Sequence, residues 1–89
     1  MVILVTFMDL ILYGRADCHL CDRLAALMKP HLEPLRQRKP FTLVKRDIDA
    51  DPAAHALYHD RIPVVTCDGR EILEGRPSAE EIQRVLTAL

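Results

Sequence analysis

Tyr13-Gly14-Arg15-Ala16-Asp17-Cys18-His19-Leu20-Cys21 places two thiols three residues apart, between two different hydrophobic patterns. Before it, Leu10-Ile11-Leu12 is a short apolar run that stops at Gly14, which predicts a buried strand over Asp9 to Tyr13. After it, Leu20, Leu24, Leu27 and Met28 recur at helical spacing. Arg15-Ala16-Asp17 then reads as a loop, and a helix is expected to start near Cys18 with Asp17 as its N-cap. A thiol at a helix start lies beside unpaired N–H groups and the positive end of the dipole, which favour its anion. Lowering a thiol pKa from about 8.5 to about 7 raises the thiolate fraction at pH 7 from roughly 3% to roughly half. Cys21, one turn further in and facing the core, gains less. Cys18 is therefore the expected nucleophile, and Cys21 the thiol that resolves a mixed disulfide. Arg15 and a protonated His19 favour the Cys18 thiolate, whereas Asp17 opposes it.

Beyond this stretch, Pro30 and Pro34 each remove a helix donor, so a kink or break is expected near Lys29, with a second helical piece to about Arg38. Phe41 to Asp47 alternates as a strand near a sheet edge, where its charges reach water. Asp51-Pro52 then opens a short helix to about His59, with Ala54, Leu57 and Tyr58 inward. Val64–Cys67, the turn Asp68-Gly69 and Arg70–Leu73 form a hairpin. Ser78-Ala79-Glu80-Glu81 is a capping box for a closing helix that buries Ile82, Val85, Leu86 and Leu89. The order β-α-β-α-β-β-α implies an α/β domain whose mixed four-stranded sheet is flanked by helices, its first crossover parallel and right-handed.

Eighty-nine residues suffice for one domain, here 8–89, with 1–7 as an N-terminal extension or the product of an upstream start ahead of Met8. Val2 to Phe7 is too short to span a membrane and lacks the flanks of a secretory signal. A net charge of −1 and four aromatics supply neither a basic stripe nor a stacking platform, which argues against nucleic acid as a partner. Three cysteines cannot all pair within the chain. A Cys18–Cys21 bridge closes so small a loop that it stabilises by only about 2 kcal/mol, so the pair is read as serving reactivity. A cycling thiol pair fits a reducing, cytoplasmic setting.

These residues resemble the glutaredoxin branch of the thioredoxin fold, most closely the short bacterial glutaredoxin-like proteins, over about Asp9 to Leu89. Tyr13 to Cys21 is similar to that family's aromatic, small residue, basic residue, two variable residues and dithiol. The resemblance implies a thioredoxin-like fold and thiol–disulfide oxidoreductase activity on protein or glutathione mixed disulfides. Glutathione would be a co-substrate, with no bound cofactor, no metal and a monomeric protein. Arg15 falls where the family meets a glutathione carboxylate. Ile62-Pro63 looks like its cis-proline dipeptide, whose preceding backbone pairs with substrate. Gly75 matches one of two glycines at glutathione's amino end. Arg76 and Pro77, and His19-Leu20 inside the dithiol, depart from the family pattern.

Two other readings stay open at this stage. Cys18 and Cys21 have half the ligands of a zinc or iron–sulfur site, and His55 and His59, four apart on a helix, have the spacing to complete a Cys2His2 set. Alternatively the dithiol is vestigial and the chain is a non-catalytic adaptor, with Arg15, Arg61 and Arg76 forming a basic patch. Cys67 is expected as a small core residue.

Overall fold

The computed structural model describes residues 6–89. The reading of residues 1–7 as an extension therefore falls mostly outside the described residues. Thr6 and Phe7 are exposed and carry no regular structure, and the first strand begins at Met8.

The elements in order are β1 (Met8–Gly14), α1 (His19–Arg38), β2 (Phe41–Asp47), a 3-10 turn (Ile48–Ala50), α2 (Pro52–Tyr58), β3 (Val64–Cys67), β4 (Arg70–Glu74) and α3 (Ala79–Thr87). The sheet runs β2-β1-β3-β4. β1 and β2 are parallel, with Leu12 opposite Lys45 and Gly14 opposite Asp47. β3 pairs antiparallel with both β1 and β4. Asp68 and Gly69 both take positive φ, 51° and 84°, as the two-residue turn between β3 and β4 requires.

Strand alternation divides the core between two faces of this sheet. Leu10, Leu12, Val65 and Leu73 meet Leu24, Met28 and Leu35 of α1 and Ile82 and Leu86 of α3. On the other face, Val64 packs with Ile48, Ala54 and Tyr58, and Tyr13 closes the cluster. Leu57, expected inward, is 60% exposed, because Ala54 and Tyr58 four apart define the buried stripe of α2. Of the expected capping box, the bond from Glu81 N–H to Ser78 Oγ is present at 3.0 Å.

The break expected near Lys29 does not occur. α1 runs as one 20-residue helix with Pro30 and Pro34 inside it. An interior proline costs about 3 kcal/mol. Here both prolines lie with Ala26 on one exposed stripe, so the carbonyls they leave without a helix donor face water. Beyond Pro30, Leu32 packs against both upper core clusters and Leu35 is fully buried. Burying each such leucine contributes about 1.5–3 kcal/mol, enough to hold the last turns in register. The inner stripe of α1 is Cys21, Leu24, Met28 and Leu35, whereas Leu20, expected inward, is 38% exposed.

Replacing Pro34 with Ala restores an N–H on the solvent face. Stability is expected to rise by about 1–2 kcal/mol, the helix penalty less proline's restriction of the unfolded chain. Urea unfolding measures it, and a fall in midpoint would show that the proline geometry is needed.

Candidate active site

α1 begins one residue later than expected, and this changes its cap. Asp17 is left-handed, with φ 58°, and does not cap the helix. Cys18 is extended, at φ −103° and ψ 105°, and is itself the N-cap. Its Sγ accepts the N–H of Cys21 at 3.2 Å, so a sulfur fills the role usually taken by a hydroxyl or carboxylate oxygen. The Cys18 carbonyl receives the N–H of Asp22 at 3.0 Å and opens the helical ladder. Cys18 and Cys21 are joined as a disulfide, with Cα atoms 5.2 Å apart.

The two sulfurs live in different surroundings. Cys18 is half-buried at the tip, whereas Cys21 is only 6% exposed. Gly14 makes room for Cys21. A Cβ built on Gly14 would lie 2.8 Å from Cys21 Sγ and 3.3 Å from its Cβ. The sequence presented Gly14 as a strand terminator, but its second role is to seat the inner sulfur. The remaining space beside Cys21 is a shallow cleft of about 210 Å³ between α1 and β2, lined by Gly14, Arg15, Asp22, Lys45, Arg46 and Asp47 among others.

Arg15 reaches across this cleft to Asp49 in the 3-10 turn, with Nη2 to Oδ1 at 3.0 Å. An incoming carboxylate must therefore share the guanidinium with Asp49. An exposed pair of this kind contributes only about 0–1 kcal/mol, so the competition is mild. His19 and Asp17 are both exposed at the mouth of the site.

The other expected site residues arrive at the same end of the sheet. The Ile62–Pro63 peptide bond is cis. Tyr13 stands opposite Val64 in the β1–β3 register, so Pro63 lies one step on, level with Gly14. The carbonyl of Pro63 accepts Gly75 N–H at 2.8 Å, and Gly75 holds φ 68°. Arg23, which sequence reading passed over, donates from Nη1 to the carbonyl of Pro77 at 2.9 Å. It ties the loop carrying Gly75 and Arg76 to the second turn of α1.

Two expectations do not assemble, the basic rim and the Cys2His2 set, whereas Cys67 is buried in the core as expected. Arg61 joins no basic rim, because Glu71 at 2.7 Å and Glu74 at 3.3 Å take its guanidinium. His55 and His59 stack on each other with centroids 5.2 Å apart, and among the described residues no group of three or more His, Cys, Asp or Glu has metal-site geometry. Cys67 lies in the core beside Met8, Sγ to Sδ 3.9 Å, opposite Leu10 and away from the dithiol end of β1. Burial, with the nearby Asp68 carboxylate, pushes its thiol pKa up. Among the described residues no helix is long and apolar enough to cross a membrane.

A family model described as a glutaredoxin-like domain (DUF836) matches residues 9–87. The chain belongs to this glutaredoxin-like family. Among solved structures, a protein from X. campestris is 32% identical, with a TM-score of 0.69 over 90% of this chain and 97% of that one. A protein from Nitrosomonas europaea is 29% identical, with a TM-score of 0.63 over 94% and 96%. Oxidised thioredoxin from Plasmodium falciparum is 10% identical, covers 91% and 79%, and has a TM-score of 0.63, a likeness of fold alone. No curated protein matches the chain. This glutaredoxin-like domain thus has a thioredoxin-type fold and a Cys18–Cys21 pair close enough to form a disulfide.

In the disulfide the sulfur of Cys21 is held where a methyl group on residue 14 would stand. Gly14→Ala is therefore expected to shift the dithiol–disulfide equilibrium toward the dithiol by about tenfold, or about 30 mV. Equilibration with glutathione buffers, on protein whose circular dichroism matches the wild type, measures the shift. An unchanged equilibrium would show that the inner sulfur does not need the glycine.

Proposed function

We propose that this chain is a dithiol oxidoreductase that reduces disulfides in proteins, or mixed disulfides with glutathione, in the cytoplasm and as a monomer. The observation that carries the reading is the cap: the more exposed sulfur of the pair accepts a backbone N–H at the start of a 20-residue helix. That N–H and the dipole behind it favour a thiolate at Cys18 once the bridge is reduced.

The reaction balances as two exchanges. The Cys18 thiolate attacks one sulfur of the substrate disulfide, a bond forms to Cys18 Sγ, and the other substrate sulfur leaves as a thiolate that takes a proton from water. Cys21 then loses its proton and attacks Cys18 Sγ. The Cys18–Cys21 disulfide forms and the second substrate thiolate departs. Two electrons pass to the substrate, and an external thiol, such as glutathione or a dithiol protein, restores the pair. Ile62 and Pro63 form the wall beside the sulfurs, Arg15 attracts an acidic partner at the modest cost of its Asp49 pair, and Gly75 shapes the loop that Pro63 holds. His19 and Asp17, at the mouth, tune the charge around Cys18 in opposite directions.

Cys21→Ser removes the resolving thiol and is expected to leave a mixed disulfide trapped at Cys18, visible as an intact-mass adduct that dithiothreitol removes. An adduct at Cys67 instead, or none at all, would remove the assignment.

A further inference from the structure

The cleft at Cys21 does not end there. Leu12 and Lys45 also line a second depression of about 370 Å³, which continues along the crease between α1 and β2. Its walls are Ala25, Met28 and Leu32 on the helix side and Leu43 on the strand side. The only charged residues lining it are Lys29 and Lys45, both exposed and in no ion pair among the described residues. An apolar floor under two unpaired lysines is complementary to a ligand with apolar side chains and negative charge. β2 is the outermost strand of the sheet on this side, so its outer backbone groups have no strand partner among the described residues. An extended chain is the ligand that uses such an edge, by adding a strand while its alternate side chains enter the groove.

Resting on the dithiol reading above, we infer that the α1–β2 groove is a docking surface for substrate proteins. It takes an extended segment whose alternate, groove-facing residues are apolar over Leu43 and acidic beside Lys29 and Lys45, and it delivers the disulfide beside that segment to the Cys18–Cys21 end. Length fits this arrangement. Leu43 to Asp47 is five residues of edge strand, which matches about five residues of partner at about 3.3 Å each. Acidic side chains at its groove-facing positions meet Lys29 and Lys45, and a basic counterpart there is repelled by both.

Two peptides test this, each with one cysteine in mixed disulfide with glutathione and four flanking residues, Leu-Thr-Glu-Thr in one and Leu-Thr-Lys-Thr in the other, so that leucine and the charged residue share a face. Hydroxyethyl disulfide serves as the small control. The wild type is expected to reduce the acidic peptide with a kcat/KM about tenfold above the basic one. Lys29→Glu is expected to erase that preference while leaving turnover of the small disulfide unchanged. Equal rates on both peptides, or a preference that survives Lys29→Glu, would overturn the groove and leave the dithiol chemistry standing. If the small disulfide is not reduced at all, the oxidoreductase reading fails by itself. The groove is then read from the serine version of the acidic peptide in an NMR titration. Shifts at Ala25, Met28 and Leu43 support it, and shifts elsewhere, or groove shifts that follow protein concentration without peptide, overturn it.

Discussion

Gly14 ends β1 without a side chain, and the inner sulfur of the dithiol occupies the space that a side chain would fill. Much of the working end follows from that contact. Because Cys21 sits deep against the strand, α1 can start close over the sheet, and Cys18 is left at the tip as the cap. The parallel pairing of β1 with β2 brings Asp47, Lys45 and the Asp49 turn to the same end. The antiparallel pairing of β1 with β3 brings Pro63 there too. One close approach thus fixes which sulfur is outside, which is inside and what surrounds them.

The charge pattern around this contact is modest. No buried carboxylate faces Cys21 in the cleft, whose acidic residues, Asp22 and Asp47, are both exposed. Arg15 is held by an exposed acid, and exposed pairs contribute little. At Cys18 the backbone at the helix start supplies a direct polar contact, the N–H of Cys21, which does not depend on side-chain rotamers. The third thiol shows the opposite situation: Cys67, walled in by the core, resists ionisation because burial penalises its anion.

Most of the fold could be read from sequence because local patterns and global packing agree. The Asp68-Gly69 turn, the Asp51-Pro52 helix start and Ser78 as a cap each appear where the chain calls for them. The failures occurred where a tertiary contact overrode a local rule. Pro30 and Pro34 predict a kink or break, but burial of Leu32 and Leu35 beyond them keeps the helix continuous. Asp17 is a good N-cap by residue type, yet a left-handed turn hands that role to a cysteine. At the site, the dithiol was visible as a spacing, whereas Gly14 as a seat, the Arg15–Asp49 pair and the Arg23–Pro77 tie depend on residues 7 to 54 positions apart. No periodicity carries such contacts.

The two sulfurs are unequal, and the alkylation rate of each thiol in the reduced protein as a function of pH, resolved by peptide mass spectrometry, measures that inequality. Cys18 is predicted to react first, with a midpoint below the value of about 8.5 for an ordinary thiol, while Cys21 and Cys67 lag. Cys21 reacting as fast as Cys18, or a Cys18 midpoint at or above that ordinary value, would contradict the account.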